Sequence, residues 1–115
     1  IDALVRLAGP STAKEVLFSA RRFTAGEALA RGLVNEVVPK ARLDARVREV
    51  AAQIAENAPL TLRSVKLVIR ELGRDPAARD SSRVRDSIHA CFESDDYREG
   101  VQAFLDKRKP VFQGR

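Results

Sequence analysis

Few residues of this chain are of a type that could do chemistry. Its only histidine, His89, and its only cysteine, Cys91, lie two positions apart in a predicted helix. Catalysis by histidine needs a placed acidic partner, and no acid obviously orients His89. Cys91 belongs to an apolar helical face, whereas a reactive thiolate needs an exposed cationic setting. We interpret both as structural, and the sequence predicts no catalytic residue and no metal site.

A cluster of acids precedes the last predicted helix. Glu93, Asp95, Asp96 and Glu99 could supply a carboxylate pair for acid–base work. They could equally serve a helix amino terminus, where the macrodipole favours negative charge. We favour the second interpretation, with Asp96 and Glu99 capping the helix.

The segment DDYREGVQAFLDKRKPVF, residues 95–112, combines an aromatic residue with a basic run. Phe104 and Lys107 are three positions apart, which places them one turn from each other on one side of a helix. An aromatic face beside an ammonium suits a planar base attached to a phosphate, and Arg108 and Lys109 could add attraction for anions. The alternative is a core phenylalanine and a lysine that complements the helix dipole.

The elements that must position these residues are predicted to be helices. Thr12 with Glu15 and Thr24 with Glu27 have capping-box spacing, and Gly32 suits a left-handed helix end. Residues 33–38 are predicted to form a short strand or an extended connector.

The rest of the chain has helical periodicity. Apolar residues repeat with a 3.6-residue period from Leu43, and Pro59 fits the first turn of the next helix, which ends at Gly73. Asp75 and Pro76 are expected to open another helix. We predict one all-α domain over residues 1–115, a helical bundle of about five to seven helices with one short extended segment.

Composition limits the function classes. The net charge is +5 and the pI is about 10.0, which leaves anionic partners open, but the arginines are scattered among acids. Without interleaved aromatic residues we expect no nucleic-acid partner, although a basic nucleic-acid binder remains a hypothesis.

No apolar run approaches the roughly 18 residues that a membrane span needs, and a single cysteine suits a reducing compartment. We expect a cytoplasmic protein, and the abundance of arginine and alanine is typical of a GC-rich bacterial source.

Three stretches resemble the enoyl-CoA hydratase/isomerase, or crotonase, superfamily. They are VLFSARRFTAGEALARGLVNEVVP (16–39), AAQIAENAPLTLRSVKLVIREL (51–72) and SDDYREGVQAFLDKRKPVFQG (94–114). They occur in the family's order and cover nearly the whole chain. The resemblance implies the C-terminal helical domain of such an enzyme, without the family's spiral β/α core. The absence of methionine and the start at Ile1 also lead us to expect a piece of a larger protein.

The resemblance implies where the chemistry would lie. The family's catalytic glutamates and oxyanion hole belong to the preceding core, so no catalytic residue carries over, and we expect no hydratase activity from the chain alone. The family's C-terminal phenylalanine and first lysine contact the adenine and phosphate end of coenzyme A. They match Phe104 and Lys107, with Asp106 in place of the usual glutamate. No tightly bound cofactor is implied, because coenzyme A is part of the acyl-CoA substrate.

Two hypotheses follow for the function. The first is an enoyl-CoA hydratase-like parent that hydrates 2-enoyl-CoA in fatty-acid metabolism, with an isomerase or another crotonase-type reaction as the alternative. In it this domain supplies oligomer contacts and part of the coenzyme A surface. The second is a non-catalytic helical oligomerisation module. We expect a homo-oligomer in either case: a trimer or dimer of trimers for the parent, and a dimer or higher for the 115-residue chain.

Overall fold

The computed structural model describes all 115 residues and contains six α-helices, two 3-10 turns and no β-strand. The all-α prediction is confirmed, and the number of helices falls in the predicted range. The helices are α1 (Asp2–Ser19), α2 (Ala25–Ala30), α3 (Leu43–Ala55), α4 (Pro59–Leu72), α5 (Ser81–Glu93) and α6 (Asp95–Leu105). The 3-10 turns are Lys40–Arg42 and Pro76–Ala78. No helix combines the length and the apolar character that a membrane span requires.

The chain divides into two compact units, residues 1–46 and 47–115. The first contains α1 and α2. Helix α1 kinks where Gly9 takes φ 80° and ψ 164° ahead of Pro10, because proline lacks an amide hydrogen and its ring clashes with the preceding turn. The helix then continues through Thr12. The capping box predicted for Thr12 and Glu15 is wrong, since the helical segment after the kink begins at Pro10 and Thr12 lies inside it rather than at its cap position.

Helix α2 begins as predicted. The Thr24 side chain accepts a hydrogen bond from the Glu27 amide, and the Glu27 carboxylate accepts one from the Thr24 amide, so both halves of the capping box form. Gly32 follows the helix with φ 70°. Residues 33–38 form an irregular connector rather than a strand.

The second unit is built on α4, α5 and α6. Helices α4 and α5 run antiparallel, because Ser64 hydrogen-bonds Ser87 midway along them while Glu71 accepts from the Asp80 amide near the connection. Pro59 and Gly73 bound α4 as predicted. Asp75 caps a 3-10 turn whose first residue is Pro76, as predicted, but this turn ends at Ala78 and the predicted α-helix begins only at Ser81. The Asp80 side chain instead caps α5 by accepting from the Arg83 amide.

Very little apolar side chain is buried. Ala13 and Ala103 are the only buried apolar residues, and many larger ones that follow the predicted helical stripes are exposed. The predicted stripes of α4, α5 and α6 line one common groove, but most of their side chains have no covering partner within the chain.

Candidate functional site

Helix α6 and the tail after it bring together the residues singled out near the carboxyl end. Helix α6 begins with Ser94, whose hydroxyl accepts a hydrogen bond from the Tyr97 amide at 3.0 Å. The prediction that Asp96 and Glu99 cap this helix is wrong, because serine takes the cap position and leaves both carboxylates available to other donors.

Asp96 holds the end of the chain. Its side chain accepts hydrogen bonds from the Gln113 amide at 2.6 Å and the Gly114 amide at 2.8 Å, while its own amide donates to the Arg115 carbonyl at 3.1 Å. Asp96 is only 3% exposed, so these backbone donors replace the water that its carboxylate loses. The tail therefore folds back along α6 to the beginning of the helix.

Glu99 holds the same tail nearer the carboxyl end of α6. Its carboxylate accepts from both terminal nitrogens of Arg108, at 2.6 and 2.9 Å, and from the Val111 amide at 2.8 Å. The Arg108 guanidinium, followed by the Val111 amide, lowers the pKa of Glu99 to about 2. Between the two acids, Phe112 packs close to Gly100, where an added Cβ would lie 3.5 Å from the ring.

Lys107 lies beyond the end of α6 in a left-handed conformation with φ 54°. Its amide donates to the Phe104 carbonyl at 3.2 Å, and the Arg108 amide donates to the Ala103 carbonyl at 3.0 Å. These two bonds are the Schellman motif, in which glycine normally occupies the left-handed position. The expectation that Lys107 lies on the helix face with Phe104 is thus corrected: the two are one hydrogen-bonded turn apart, but Lys107 is at the bend where the chain reverses.

The three cations of the basic run differ in their partners. Arg108 is engaged by Glu99 and lies 3.4 Å from Asp106, and Lys109 lies 3.6 Å from Glu56. Lys107 is exposed and forms no ion pair. The suggestion that Arg108 and Lys109 add to an anion site is therefore not supported, because carboxylates already balance both charges.

Phe104 is 82% exposed and lines the wall of a groove of about 710 Å³. A core position for Phe104, the alternative left open by the sequence, is therefore wrong. The groove is almost entirely apolar. Its lining includes Val65, Val68 and Ile69 of α4, Ile88, Cys91 and Phe92 of α5, Tyr97, Val101, Phe104 and Leu105 of α6, and Phe112 of the tail. The rings of Phe92 and Tyr97 meet edge to face there, with centroids 5.2 Å apart.

His89 and Cys91 are not among the residues that hold the bend at Lys107. His89 does have an acidic neighbour, contrary to expectation, since its Nδ1 lies 3.0 Å from the Glu93 carboxylate. Both side chains are largely exposed, as an i, i+4 pair on a helix surface often is. Cys91 is half-buried at the groove, and its thiol donates to the Ser87 carbonyl at 3.2 Å. No group of three or more metal-ligating side chains lies together in the chain.

The arginines near the amino end are paired with acids. Arg21 contacts both Glu15 and Glu27, and Arg31 contacts Glu15 as well. The Arg21 guanidinium also lies 4.0 Å from the centre of the Phe23 ring. This pairing agrees with the interpretation of these arginines as part of a surface of mixed charge.

Comparison with known proteins identifies relatives of the whole chain. The family model described as enoyl-CoA hydratase/isomerase matches residues 1–115. The chain is 39% identical to methylmalonyl-CoA decarboxylase of Escherichia coli, with 99% of this chain and 44% of that protein aligned. It is 34% identical to carnitinyl-CoA dehydratase of Salmonella typhi, over 97% of this chain and 44% of that protein. The chain thus spans less than half the length of these curated relatives.

Solved structures agree with this comparison. An enoyl-CoA hydratase/carnithine racemase from Magnetospirillum magneticum superimposes with a TM-score of 0.85 at 41% identity, covering 97% of this chain and 41% of that one. An enoyl-CoA hydratase from Bacillus anthracis gives the same TM-score at 32% identity, covering 97% and 43%. Coenzyme A appears in the names of all four relatives, whereas the named reactions differ.

Proposed function

The chain belongs to the enoyl-CoA hydratase/isomerase family, and from that premise we propose that Phe104 and Lys107 bind the nucleotide end of an acyl-CoA ester. Phe104 would stack on the adenine ring, and Lys107 would face a phosphate. One observation carries the proposal: an 82% exposed phenylalanine lies one hydrogen-bonded turn from the only cation of the run 107–109 that has no carboxylate partner.

The physical chemistry of the pair supports this assignment. The exposed ring of Phe104 lines an apolar groove, and its contact with water is unfavourable. Covering the ring with a ligand or a partner therefore lowers the free energy. Stacking of a base on an aromatic side chain contributes roughly 1–3 kcal/mol and does not depend on hydrogen bonding to the base. A lysine ammonium serves as a compact point charge for phosphate.

We propose further that this domain supplies oligomer contacts in a larger acyl-CoA enzyme. The apolar groove formed by α4, α5 and α6 is open, and large exposed apolar surfaces are typical of association sites. A trimer or a dimer of trimers is our proposal for the whole protein, and a non-catalytic oligomerisation module is the alternative. A bacterial cytoplasmic location is part of the proposal, supported by the bacterial sources of the relatives and the single unpaired cysteine.

Hydration of a 2-enoyl-CoA is the reaction that we propose for the whole protein. Decarboxylation is the second candidate, favoured by the 39% identity to methylmalonyl-CoA decarboxylase. Catalytic groups would come from outside this chain in both cases. Glu15, Glu27 and Glu36 offer no substitute, since Glu15 and Glu27 are held by arginines and Glu36 pairs with Arg46.

The binding proposal is tested by substitution of the two residues in the full-length protein, with coenzyme A as the probe in calorimetric titration. Phe104→Ala is expected to raise the Kd for coenzyme A about 5- to 150-fold, the equivalent of the lost stacking. Lys107→Ala is expected to raise it roughly tenfold at low salt and less at high salt, because the contact of an exposed charge is screened.

Lys109→Ala is the matched control, since it removes a lysine of the same run whose ammonium already has a carboxylate neighbour. Its Kd is expected to stay within about twofold of the unaltered protein, because an exposed ion pair contributes little. Unchanged affinity in both Phe104→Ala and Lys107→Ala would refute the assignment of this site.

A further inference from the structure

We propose that Glu99 is a positioning residue that holds the bend presenting Lys107 to the phosphate of the acyl-CoA ester. The proposal rests on the coenzyme A site described above, which involves Lys107 itself but not Glu99. The carboxylate of Glu99 does not need to touch the ligand, because it binds Arg108 and Val111, which follow Lys107 in the chain. It joins α6 to Arg108 and to Val111 through the three hydrogen bonds given above.

The first step of the argument is the backbone of Lys107. An L-residue in the left-handed region is disfavoured by roughly 1–2 kcal/mol, and only glycine adopts it without that cost. The two Schellman hydrogen bonds start the reversal of the chain at this residue. They hold the backbone only as far as the Arg108 amide, so the residues beyond it need further contacts to keep the bend in one conformation.

The second step is the geometry of the anchor. Glu99 and Ala103 are four residues apart and share a face of α6, and Ala103 accepts the Arg108 amide. Glu99 then binds the guanidinium of that same arginine with two parallel hydrogen bonds, the arrangement that most strongly restricts an arginine. The Val111 amide adds a third bond beyond Pro110. The residue after Lys107 is thus fixed by both its backbone and its side chain.

The third step is charge. Because Glu99 neutralises Arg108, the cation that remains available at the bend is Lys107. A ligand phosphate is therefore attracted to one point rather than to a diffuse basic run. Loss of Glu99 would free the Arg108 guanidinium and leave the bend without its anchor, so that the ammonium of Lys107 would sample many positions.

The test is a double-mutant cycle in the full-length protein, with coenzyme A as the probe. Glu99→Gln is expected to raise the Kd by up to about tenfold, the loss expected for Lys107→Ala, because a residue that acts through Lys107 has no other contact with the ligand to weaken. In the Lys107→Ala background the same Glu99→Gln substitution is expected to change the Kd less than twofold, because the residue that Glu99 positions is then absent.

The outcomes separate this inference from the proposed function. An unchanged Kd in Lys107→Ala would remove Lys107 from the site and with it the positioning role of Glu99, and an unchanged Kd in Phe104→Ala as well would refute the site itself. A raised Kd in Lys107→Ala together with an unchanged Kd in Glu99→Gln would refute only the positioning role. Equal losses from Glu99→Gln with and without Lys107 would also overturn it, since such losses would mean that Glu99 supports the structure generally.

Two further variants keep the test decisive. Glu93→Gln is the control, because it removes an exposed carboxylate of the neighbouring helix that does not contact the tail, and it is expected to leave the Kd unchanged. Glu99→Asp keeps the charge and serves in place of Glu99→Gln if the latter does not fold. It is expected to recover part of the affinity, and a Kd for Glu99→Asp above that of Glu99→Gln would contradict the proposal.

Discussion

Two acids of α6 use their carboxylates on backbone and arginine donors that are distant in the sequence. Asp96 binds the amides of Gln113 and Gly114, and Glu99 binds Arg108 and the Val111 amide. Hydrogen bonds to an ionised group contribute more than neutral ones, which explains why a tail with little apolar burial can be ordered against a helix. These two acids therefore hold the C-terminal tail against α6.

Acidification is expected to release part of this tail. The Arg108 guanidinium and the Val111 amide hold the pKa of Glu99 in the folded protein at about 2, below its ordinary value of 4.5, so the ionised carboxylate stabilises the folded state. Its contribution to stability is therefore complete above about pH 4.5 and is lost as the pH falls towards 2. We expect the loss of urea resistance between pH 5 and pH 3 to be smaller in Glu99→Gln than in the unaltered protein.

The measurement is the midpoint of urea unfolding at the two pH values. Glu93→Gln is again a suitable control, because its exposed carboxylate has one side-chain partner and no backbone donor. An identical decrease in Glu99→Gln and in the unaltered protein would show that the Glu99 carboxylate is not held by Arg108 in solution.

At the scale of elements, the starts of the helices depend on which polar residue takes the cap position. Thr24 and Ser94 accept from amides of α2 and α6, and Asp80 does so for α5. Thr12 has the same spacing to a glutamate as Thr24 but lies in the continuous part of α1 after Pro10. A capping box therefore requires that the helix begin at the threonine, which the spacing alone does not reveal.

Because only Thr24 is a cap, replacing each threonine by alanine is expected to change the free energy of unfolding differently. Thr24→Ala is expected to lower the free energy of unfolding by about 1 kcal/mol, because it leaves the Glu27 amide without its acceptor. Thr12→Ala is expected to stay within about 0.5 kcal/mol of the unaltered protein or to stabilise it, since alanine is the better helix former at an interior position. Urea unfolding followed by circular dichroism measures both, and an equal loss in the two variants would contradict the assignment of Thr24 as the cap.

At the scale of the whole molecule, the chain exposes apolar surface that its helical periodicity assigns to packing. Only two alanines are buried among its apolar residues, whereas Ile69, Phe104 and Leu105 are mostly exposed around the groove of α4, α5 and α6. Apolar surface of this kind favours association with other protein surfaces.

The 115-residue chain by itself is therefore expected to self-associate into dimers or larger species. Sedimentation velocity over a range of concentrations measures the effect, and Ile69→Glu, which places a charge in the groove, is expected to shift the chain towards monomer. Leu72→Glu is the matched control, because Leu72 is similarly exposed on the same helix but does not line the groove. A monomer at high concentration, or equal effects of the two variants, would argue against association through the groove.

Features that depend on neighbouring residues could be predicted from the sequence. Helical periodicity, the capping box of Thr24, the proline at the start of α4 and the all-α class follow from contacts within about one helical turn. The three family motifs likewise identified the family from local strings of residues. The pairing of Phe104 with Lys107 was a sequence prediction that remains the basis of the proposed site.

The donors that the acids of α6 bind could not be predicted from the sequence, because they come from the folded-back tail. The sequence predicted Asp96 and Glu99 as caps because local donors are nearest in the chain, but Ser94 takes that role and the tail brings stronger donors back to both carboxylates. The bend at Lys107 and the neutralisation of Arg108 follow from this reversal. Hydrogen bonds between distant residues depend on the path of the whole chain, and a local pattern contains no information about that path.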